Sequence, residues 1–325
     1  MLAKAIRIAA TGGPEVMEYV ELEAHAPGPG EARIVQHAIG LNFIDVYFRT
    51  GLYPQPLPGL LGKEGAGVVE AVGEGVTHVK PGDRVAYAGG PLGAYASART
   101  MPARFLVKLP ESIDFETAAA MMLQGLTVQY LLRQTYQVKA GDTILFHAAA
   151  GGVGLIACQW ARALGVNLIG TVGSQEKGEL ALAHGAAHVI NYRNEDIAAR
   201  VREITKGEGV PVVYDSIGKD TFIASLDCLQ RRGLMVSFGN ASGAVEPFVP
   251  AELSKRGSLF LTRPTLFDYM ATQEEQEAMT SELFEMVGSG RVLVEVHQRF
   301  ALAQAADAHR ALEARSTTGS TVLLP

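Results

Sequence analysis

One run constrains this chain more than any other: Thr143-Ile-Leu-Phe-His-Ala-Ala-Ala-Gly-Gly-Val-Gly154 reads as an apolar strand entering a glycine turn and then a helix. Gly151, Gly152 and Gly154, with Val153 among them, let the backbone bend tightly and come close to a pyrophosphate. The N–H groups that open the helix would face the phosphates, where the helix dipole favours negative charge. Val153, Ile156, Ala157, Trp160 and Leu164 fall at offsets of 0, 3, 4, 7 and 11, one apolar stripe at helical period. The spacing Ala148-x-x-Gly151-x-x-Gly154 departs from the stricter G-x-G-x-x-G pattern, so this motif alone also admits a small-residue packing turn.

Beyond this turn the chain alternates between strand and helix. Val166–Val172 reads as a strand, Gln175–His184 as a helix, His188–Ile190 as a strand and Asp196–Thr205 as a helix. Val210–Asp215, Thr221–Gln230 and Gly233–Phe238 continue the series as strand, helix and strand. The expected fold class is therefore α/β, with a doubly wound parallel Rossmann sheet.

The end of the second strand discriminates between dinucleotides. An NAD site has Asp or Glu there for the ribose 2′-hydroxyl, whereas an NADP site omits it and adds cations. Here the strand ends Thr171-Val-Gly173-Ser174 without an acid, and Lys177 comes three residues later. A hydroxyl and an ammonium suit a 2′-phosphate, so NADPH is the expected cofactor, although Glu176 dilutes the positive field. Ser174 as a helix cap and Lys177 as a solvated charge remain the alternatives.

The chain has 325 residues, enough for two cores, with 48% hydrophobic and 19% charged residues. A net charge near −6 argues against general nucleic-acid affinity. The two cysteines, Cys158 and Cys228, lack metal-ligand spacing. No signal-like segment or apolar run of membrane-spanning length stands out, so no membrane span and a cytoplasmic location are expected. Residues 1–120 differ in style, with short β-type runs at Ala3–Ala9, Glu31–Ile39, Gly67–Val72, Asp83–Tyr87 and Phe105–Leu109 between Gly/Pro turns. They suggest a partly open β-barrel. The tail from 265 shows a helix at Gln273–Val287, a strand at Arg291–Val296, a helix at Ala303–Arg315 and a strand at Thr321–Leu324. The expected organisation is a catalytic domain at 1–124 and 265–325, with a nucleotide-binding domain at 125–264 inserted into it.

Further motifs make a resemblance specific: Gly12-Gly-Pro-Glu15, Gly40-Leu-Asn-Phe-Ile-Asp45, Gly62-Lys-Glu-Gly-Ala-Gly67, Val79-Lys-Pro-Gly-Asp-Arg-Val85 and Gly125-Leu-Thr127. With His147–Gly154, Val213–Ser216, Ser237–Asn240 and the tail Arg315–Gly319, the chain resembles the medium-chain dehydrogenase/reductase superfamily. Within it the likeness is to the zinc-independent quinone oxidoreductases related to zeta-crystallin, bacterial NADPH:quinone reductases among them. The resemblance implies a GroES-like catalytic domain. Lys63 stands where the superfamily's alcohol dehydrogenases carry a zinc-binding His, and no Cys lies in residues 1–124, so no metal is expected.

Without a metal to polarise a carbonyl, a simple alcohol is a poor substrate, whereas a quinone is already electrophilic. Catalysis would rest on holding nicotinamide and quinone together in an interdomain cleft and shielding them from water. Asn42, Tyr47 and Tyr53, read as lying in a loop region of the first domain, are the expected substrate-site residues, with packing as the alternative for the tyrosines. The resemblance further implies Asn42 and Thr127 near the nicotinamide and its ribose, and Gly151–Gly154 under the pyrophosphate. It implies Gly173, Ser174, Lys177, Tyr192 and Arg315 around the 2′-phosphate, and Phe238, Gly239 and Asn240 at a ligand-bearing strand end. A homodimer through the edge strand 257–262 is expected from the same likeness. Two other functions are carried: an NADPH-dependent reductase of 2-alkenals or enones, and a nucleotide- or RNA-binding structural or regulatory protein. The acidic balance counts against the last.

Overall fold

The computed structural model describes residues 1–325, which divide into two units: Met1–Gln124 with Val294–Pro325, and Gly125–Leu293. The second is a contiguous stretch of chain. Its six parallel strands lie in the spatial order His188–Asn191, Asn167–Val172, Thr143–Phe146, Val210–Asp215, Leu229–Ser237, Phe260–Thr262. Numbered along the chain this order is 3-2-1-4-5-6, the dinucleotide-binding arrangement, and it reverses beside Thr143–Phe146. Leu145, Ile169, Ile190, Val213 and Met235 supply the sheet's side of one buried cluster. Such nearly continuous apolar runs suit parallel strands covered on both faces.

In the first unit, Glu31–Leu41 is central. It pairs antiparallel with Glu64–Val72, Ala98–Pro102 and Ser320–Leu324. Register shifts between Arg33 and Ile34 and between Gln36 and Ala38 bend this pairing, which lets the sheet curl. A smaller sheet of Met17–Glu23, Leu2–Ile8 and Gly59–Leu60 shares the same core: Ile6 and Ile8 pack with Ile34, Ile39, Leu61, Tyr87, Tyr95 and Leu323. The result is the partly open barrel.

Several boundaries differ from the sequence reading. Helix α1 (Phe43–Thr50) and helix α2 (Phe115–Tyr130) had no counterpart in it. Residues Ala118–Met122 of α2 are all buried, so the helix has too little polar face to show amphipathic spacing. Strand Met17–Glu23 was also missed, and the strand expected at Phe105–Leu109 is a short turn of helix followed by Val107–Lys108. The helix expected to reach Gln230 ends at Cys228, because Leu229 already pairs with Val210. The strand expected at Arg291–Val296 is Val296–Ala301. Residues 265–293 belong with the second unit, not the first. Their helix Gln273–Gly288 lies against the C-terminal half of α2, where a Cβ on Gly125 would come within 2.5 Å of Leu283. Glu282 also bonds Gln129 and Arg133 there.

Candidate functional site

The glycine turn follows strand Thr143–Phe146 at the point where strand order reverses. Ala148 takes a left-handed φ of 55°, and its N–H is held by the Thr171 hydroxyl at 3.3 Å. Gly151 caps helix α3 (Gly152–Ala163), and the first intrahelical bond is Leu155 N–H to the Gly151 carbonyl. The N–H groups of Gly152, Val153 and Gly154 precede that bond and form the helix's electropositive end. A Cβ on Gly151 would meet nothing nearer than the Ala148 carbonyl at 3.4 Å, leaving its face open to a ligand. Gly154 has the opposite task. A Cβ there would lie 2.4 Å from the Ala148 carbonyl, so glycine is what lets α3 pack against the turn.

Beneath the turn lies a buried polar chain. His147 Nδ1 is 2.9 Å from Thr171 Oγ1 and its Nε2 is 2.9 Å from Ser225 Oγ. Ser225 donates to Asp215 Oδ2, and the N–H groups of Ile217 and Gly218 donate to Oδ1 of the same carboxylate. Burial holds the His147 pKa below its usual value, so the imidazole ties strand ends together as a neutral group.

At the end of the second strand, Gly173 sits against the Tyr192 hydroxyl, which a Cβ would approach to 2.5 Å. Ser174 caps helix α4 (Gln175–Ala183) by accepting the Lys177 N–H at 3.3 Å. Its hydroxyl also donates to Glu176, which holds that carboxyl below its usual range. Ser174 is thus the cap of α4. Phe238 and Gly239 follow strand Leu229–Ser237, with Gly239 lying against the Ser216 backbone and Asn240 next in the turn. Phe238 packs its ring 5.7 Å from that of Phe146. Thr127 is half-buried on α2. Arg315 is exposed, comes after the helix Ala305–Glu313 and belongs to the first unit.

The three expected substrate residues are grouped, but on a helix and the turn after it. Asn42 is the N-cap of α1 with its N–H donating to Asp45 Oδ2 at 3.0 Å. Tyr47 is buried on α1, and half-buried Tyr53 follows the left-handed Gly51 that ends the helix. Their rings meet edge-on at 5.2 Å, and Tyr53 also meets Phe48 edge-on at 5.6 Å.

Behind Asn42 stands a set of buried titratable groups that the sequence reading does not identify. Glu64 accepts Asn42 Nδ2–H and Leu123 N–H, each at 2.7 Å. Its complete burial pushes its carboxyl up to about 8. Asp45, also fully buried, is pushed up to about 7 by loss of solvation, against the opposing pull of Asn42 N–H, Tyr95 and the Lys63 charge. Tyr95 Oη lies 3.0 Å from both Asp45 Oδ2 and His309 Nε2. Arg49 places Nη1 3.0 Å from His309 Nδ1 and grips Glu313 with both terminal nitrogens, at 2.8 and 2.7 Å. Because Arg49 can only donate, Nδ1 accepts, Nε2–H donates to Tyr95, and Tyr95 donates to Asp45. Burial and Arg49 together push His309 down to about 3, so it is neutral. One signal for this set was available: Asn42 with an acid three residues on is a capping pattern.

Lys63 donates to the Gly90 carbonyl at 2.6 Å and lies over the Phe48 ring. An ammonium so engaged is no zinc ligand, and no three His, Cys, Asp or Glu side chains are grouped to hold a metal ion. No helix is long and apolar enough to cross a membrane.

Two sequence families match the two units. Residues 28–111 match the alcohol dehydrogenase GroES-like domain, and residues 152–287 match the zinc-binding dehydrogenase family. A quinone oxidoreductase of Pseudomonas aeruginosa is 61% identical, with all of both chains covered. The chain belongs to the quinone oxidoreductase family of medium-chain dehydrogenases/reductases. Within this family, the crystal structure of Escherichia coli quinone oxidoreductase complexed with NADPH superposes with a TM-score of 0.98 at 54% identity. That match covers 99% of this chain and 100% of the other. A 2-haloacrylate reductase of a Burkholderia species is 48% identical over 97% of this chain and 96% of its own. As in other quinone oxidoreductases, a GroES-like unit accompanies a Rossmann unit, and the donor set around Lys63 does not fit the zinc in the second family's name.

Proposed function

We propose that this protein reduces quinones with NADPH. The observation that carries the reading is the open glycine turn at the strand-order reversal, paired with a second strand that ends in Gly173-Ser174 without an acid. The backbone N–H groups of Gly152, Val153 and Gly154 hold the pyrophosphate. Lys177, Ser174, Tyr192 and Gly173 select the 2′-phosphate, with Glu176 giving up its bond to Ser174 when phosphate arrives. Thr127, Phe238, Gly239 and Asn240 complete the cofactor set. Bound NADPH supplies the hydride.

The chain's own part is binding, orientation and exclusion of water. Asn42, fixed by Glu64 and by the α1 cap, orients substrate with its remaining amide N–H, while Tyr47 and Tyr53 provide an aromatic wall with hydroxyl tips. Hydrogen bonds to the quinone oxygens stabilise the phenolate charge that develops there. An electrophile as strong as a quinone requires no metal for this step. The protein is cytoplasmic and works as a homodimer joined through the edge strand. That strand comprises only Phe260–Thr262, because Gly257 and Ser258 form a left-handed turn, and exposed Phe260 lies on it.

The test is steady-state oxidation of NADPH and NADH with 1,4-benzoquinone, with and without a zinc chelator. Chelator-insensitive turnover that favours NADPH supports the reading, and no quinone-dependent oxidation refutes it. The likeness to a 2-haloacrylate reductase favours a second reading, hydride delivery to an activated alkene. A much larger kcat/KM for an enone than for 1,4-naphthoquinone would put it first.

A further inference from the structure

We propose that Glu64 is a positioning residue that fixes the orientation of the Asn42 carboxamide, and through it the groups Asn42 presents to substrate. The proposal rests on the assignment of Asn42 to the substrate site. A carboxamide has two nearly isosteric orientations, and only its partners decide between them.

Here the partners form one directed chain. Ser320 Oγ donates to Gln124 Oε1 at 2.8 Å, Gln124 Nε2 donates to Asn42 Oδ1 at 3.3 Å, and Asn42 Nδ2 donates to Glu64 Oε2 at 2.7 Å. Both amide donors point toward Glu64, while the Ser320 hydroxyl also reaches the Ala120 carbonyl at 3.2 Å. The other Glu64 oxygen, Oε1, accepts Leu123 N–H at 2.7 Å, so each oxygen accepts one of these bonds whether or not the buried carboxyl holds its proton. Bonds aligned head to tail in this way reinforce one another.

The approach of Glu64 is built into the backbone. A Cβ on Gly40 would lie 2.2 Å from Glu64 Oε2 and 2.2 Å from the Ala119 carbonyl, so only glycine there leaves room for the carboxylate beside α2. Asn42 itself is anchored separately by the cap bond to Asp45, which holds its backbone and leaves the amide to Glu64 and Gln124. With Oδ1 turned to Gln124 and one Nδ2 hydrogen turned to Glu64, the second Nδ2 hydrogen is the donor that remains for a bound oxygen.

Glu64→Gln reverses this chain without changing its shape. The fixed Leu123 N–H retains the new side chain's oxygen, so its NH2 group faces Asn42 and turns the Asn42 amide over. The experiment is a double-mutant cycle of Glu64→Gln and Asn42→Ala, reading kcat, KM for 1,4-benzoquinone and the Kd of NADPH. Glu64→Gln should lower kcat/KM for the quinone about tenfold in the native background and less than about twofold in the Asn42→Ala background. The NADPH Kd should change by less than about twofold. Equal losses in both backgrounds overturn the positioning role. An Asn42→Ala enzyme with unchanged turnover instead overturns the assignment of Asn42 itself. Gln124→Leu, which removes the donor on the other side of the amide, is read by the same cycle and decides the matter should Glu64→Gln fail to fold.

Discussion

Replacing Asp45 with Asn should make the protein more stable at alkaline pH and remove part of its pH dependence. Asp45 is completely buried, and its carboxyl is raised from 3.8 to about 7. A raised folded-state value means that the native protein keeps a proton which the unfolded chain releases. The associated stability is present in full below about pH 4 and is lost as pH rises to about 7. Above that point the ionised, buried carboxylate costs about 4 kcal/mol, from a gap of about three pH units at 1.36 kcal/mol each. Asn cannot ionise and escapes this cost. It has a penalty of its own, because Asp45 Oδ2 receives both Asn42 N–H and Tyr95 while Oδ1 has no partner. An Asn amide group placed at Oδ1 is a buried unpaired donor, costing about 2 kcal/mol. The variant should therefore be about 2 kcal/mol more stable than the native protein near pH 8.5, with the difference vanishing around pH 5. Glu64 acts in the same direction, since loss of the Asp45 charge relieves a repulsion that raises its own carboxyl. Urea unfolding of both proteins at the two pH values measures the effect. An Asp45→Asn variant destabilised equally at both would refute the reasoning.

Arg49→Met should destabilise the first unit by about 3 kcal/mol in urea unfolding, because the Gly12 carbonyl, His309 and Glu313 all lose a donor at a site where Arg49 is 1% exposed. Gly154→Ala should raise the NADPH Kd at least about tenfold by fluorescence titration, as the new methyl group forces α3 away from the Ala148 carbonyl. Lys177→Ala should raise KM for NADPH about tenfold and leave that for NADH nearly unchanged, the loss of about 1.4 kcal/mol from one charge-assisted contact. Equal effects on the two cofactors would show that Lys177 does not touch the 2′-phosphate.

The legibility of this fold depends on how local its signals are. The Rossmann unit could be read because each strand is a short apolar run, and Gly151–Gly154 and Gly173-Ser174 announce its turns within a few residues. Helix α2 escaped notice because Ala118–Met122 are buried all round, which erases the period that reveals a surface helix. The proposed substrate residues read as loop in the sequence, whereas Tyr47 belongs to a helix whose clearest signal is the Asn42–Asp45 cap. Apart from that cap, the network around Asp45 has no local signal, for another reason. Its members Arg49, Tyr95, His309 and Glu313 are brought together from across 264 positions of sequence, and nothing local marks a charge that will be buried.

The first unit is completed only by the chain's last residues. Strand Ser320–Leu324 pairs with Glu31–Leu41 on one side and Val296–Ala301 on the other. During synthesis, Gly125–Leu293 emerges whole and can close its own sheet while the N-terminal barrel still lacks a strand. Until Ser320–Leu324 arrives, the Leu41 end of the central strand offers an open edge, and until the helix Ala305–Glu313 arrives Arg49 waits without His309 and Glu313. The unit that comes later in sequence is thus the earlier one able to fold, while the barrel that carries Asn42 waits for Ser320–Leu324.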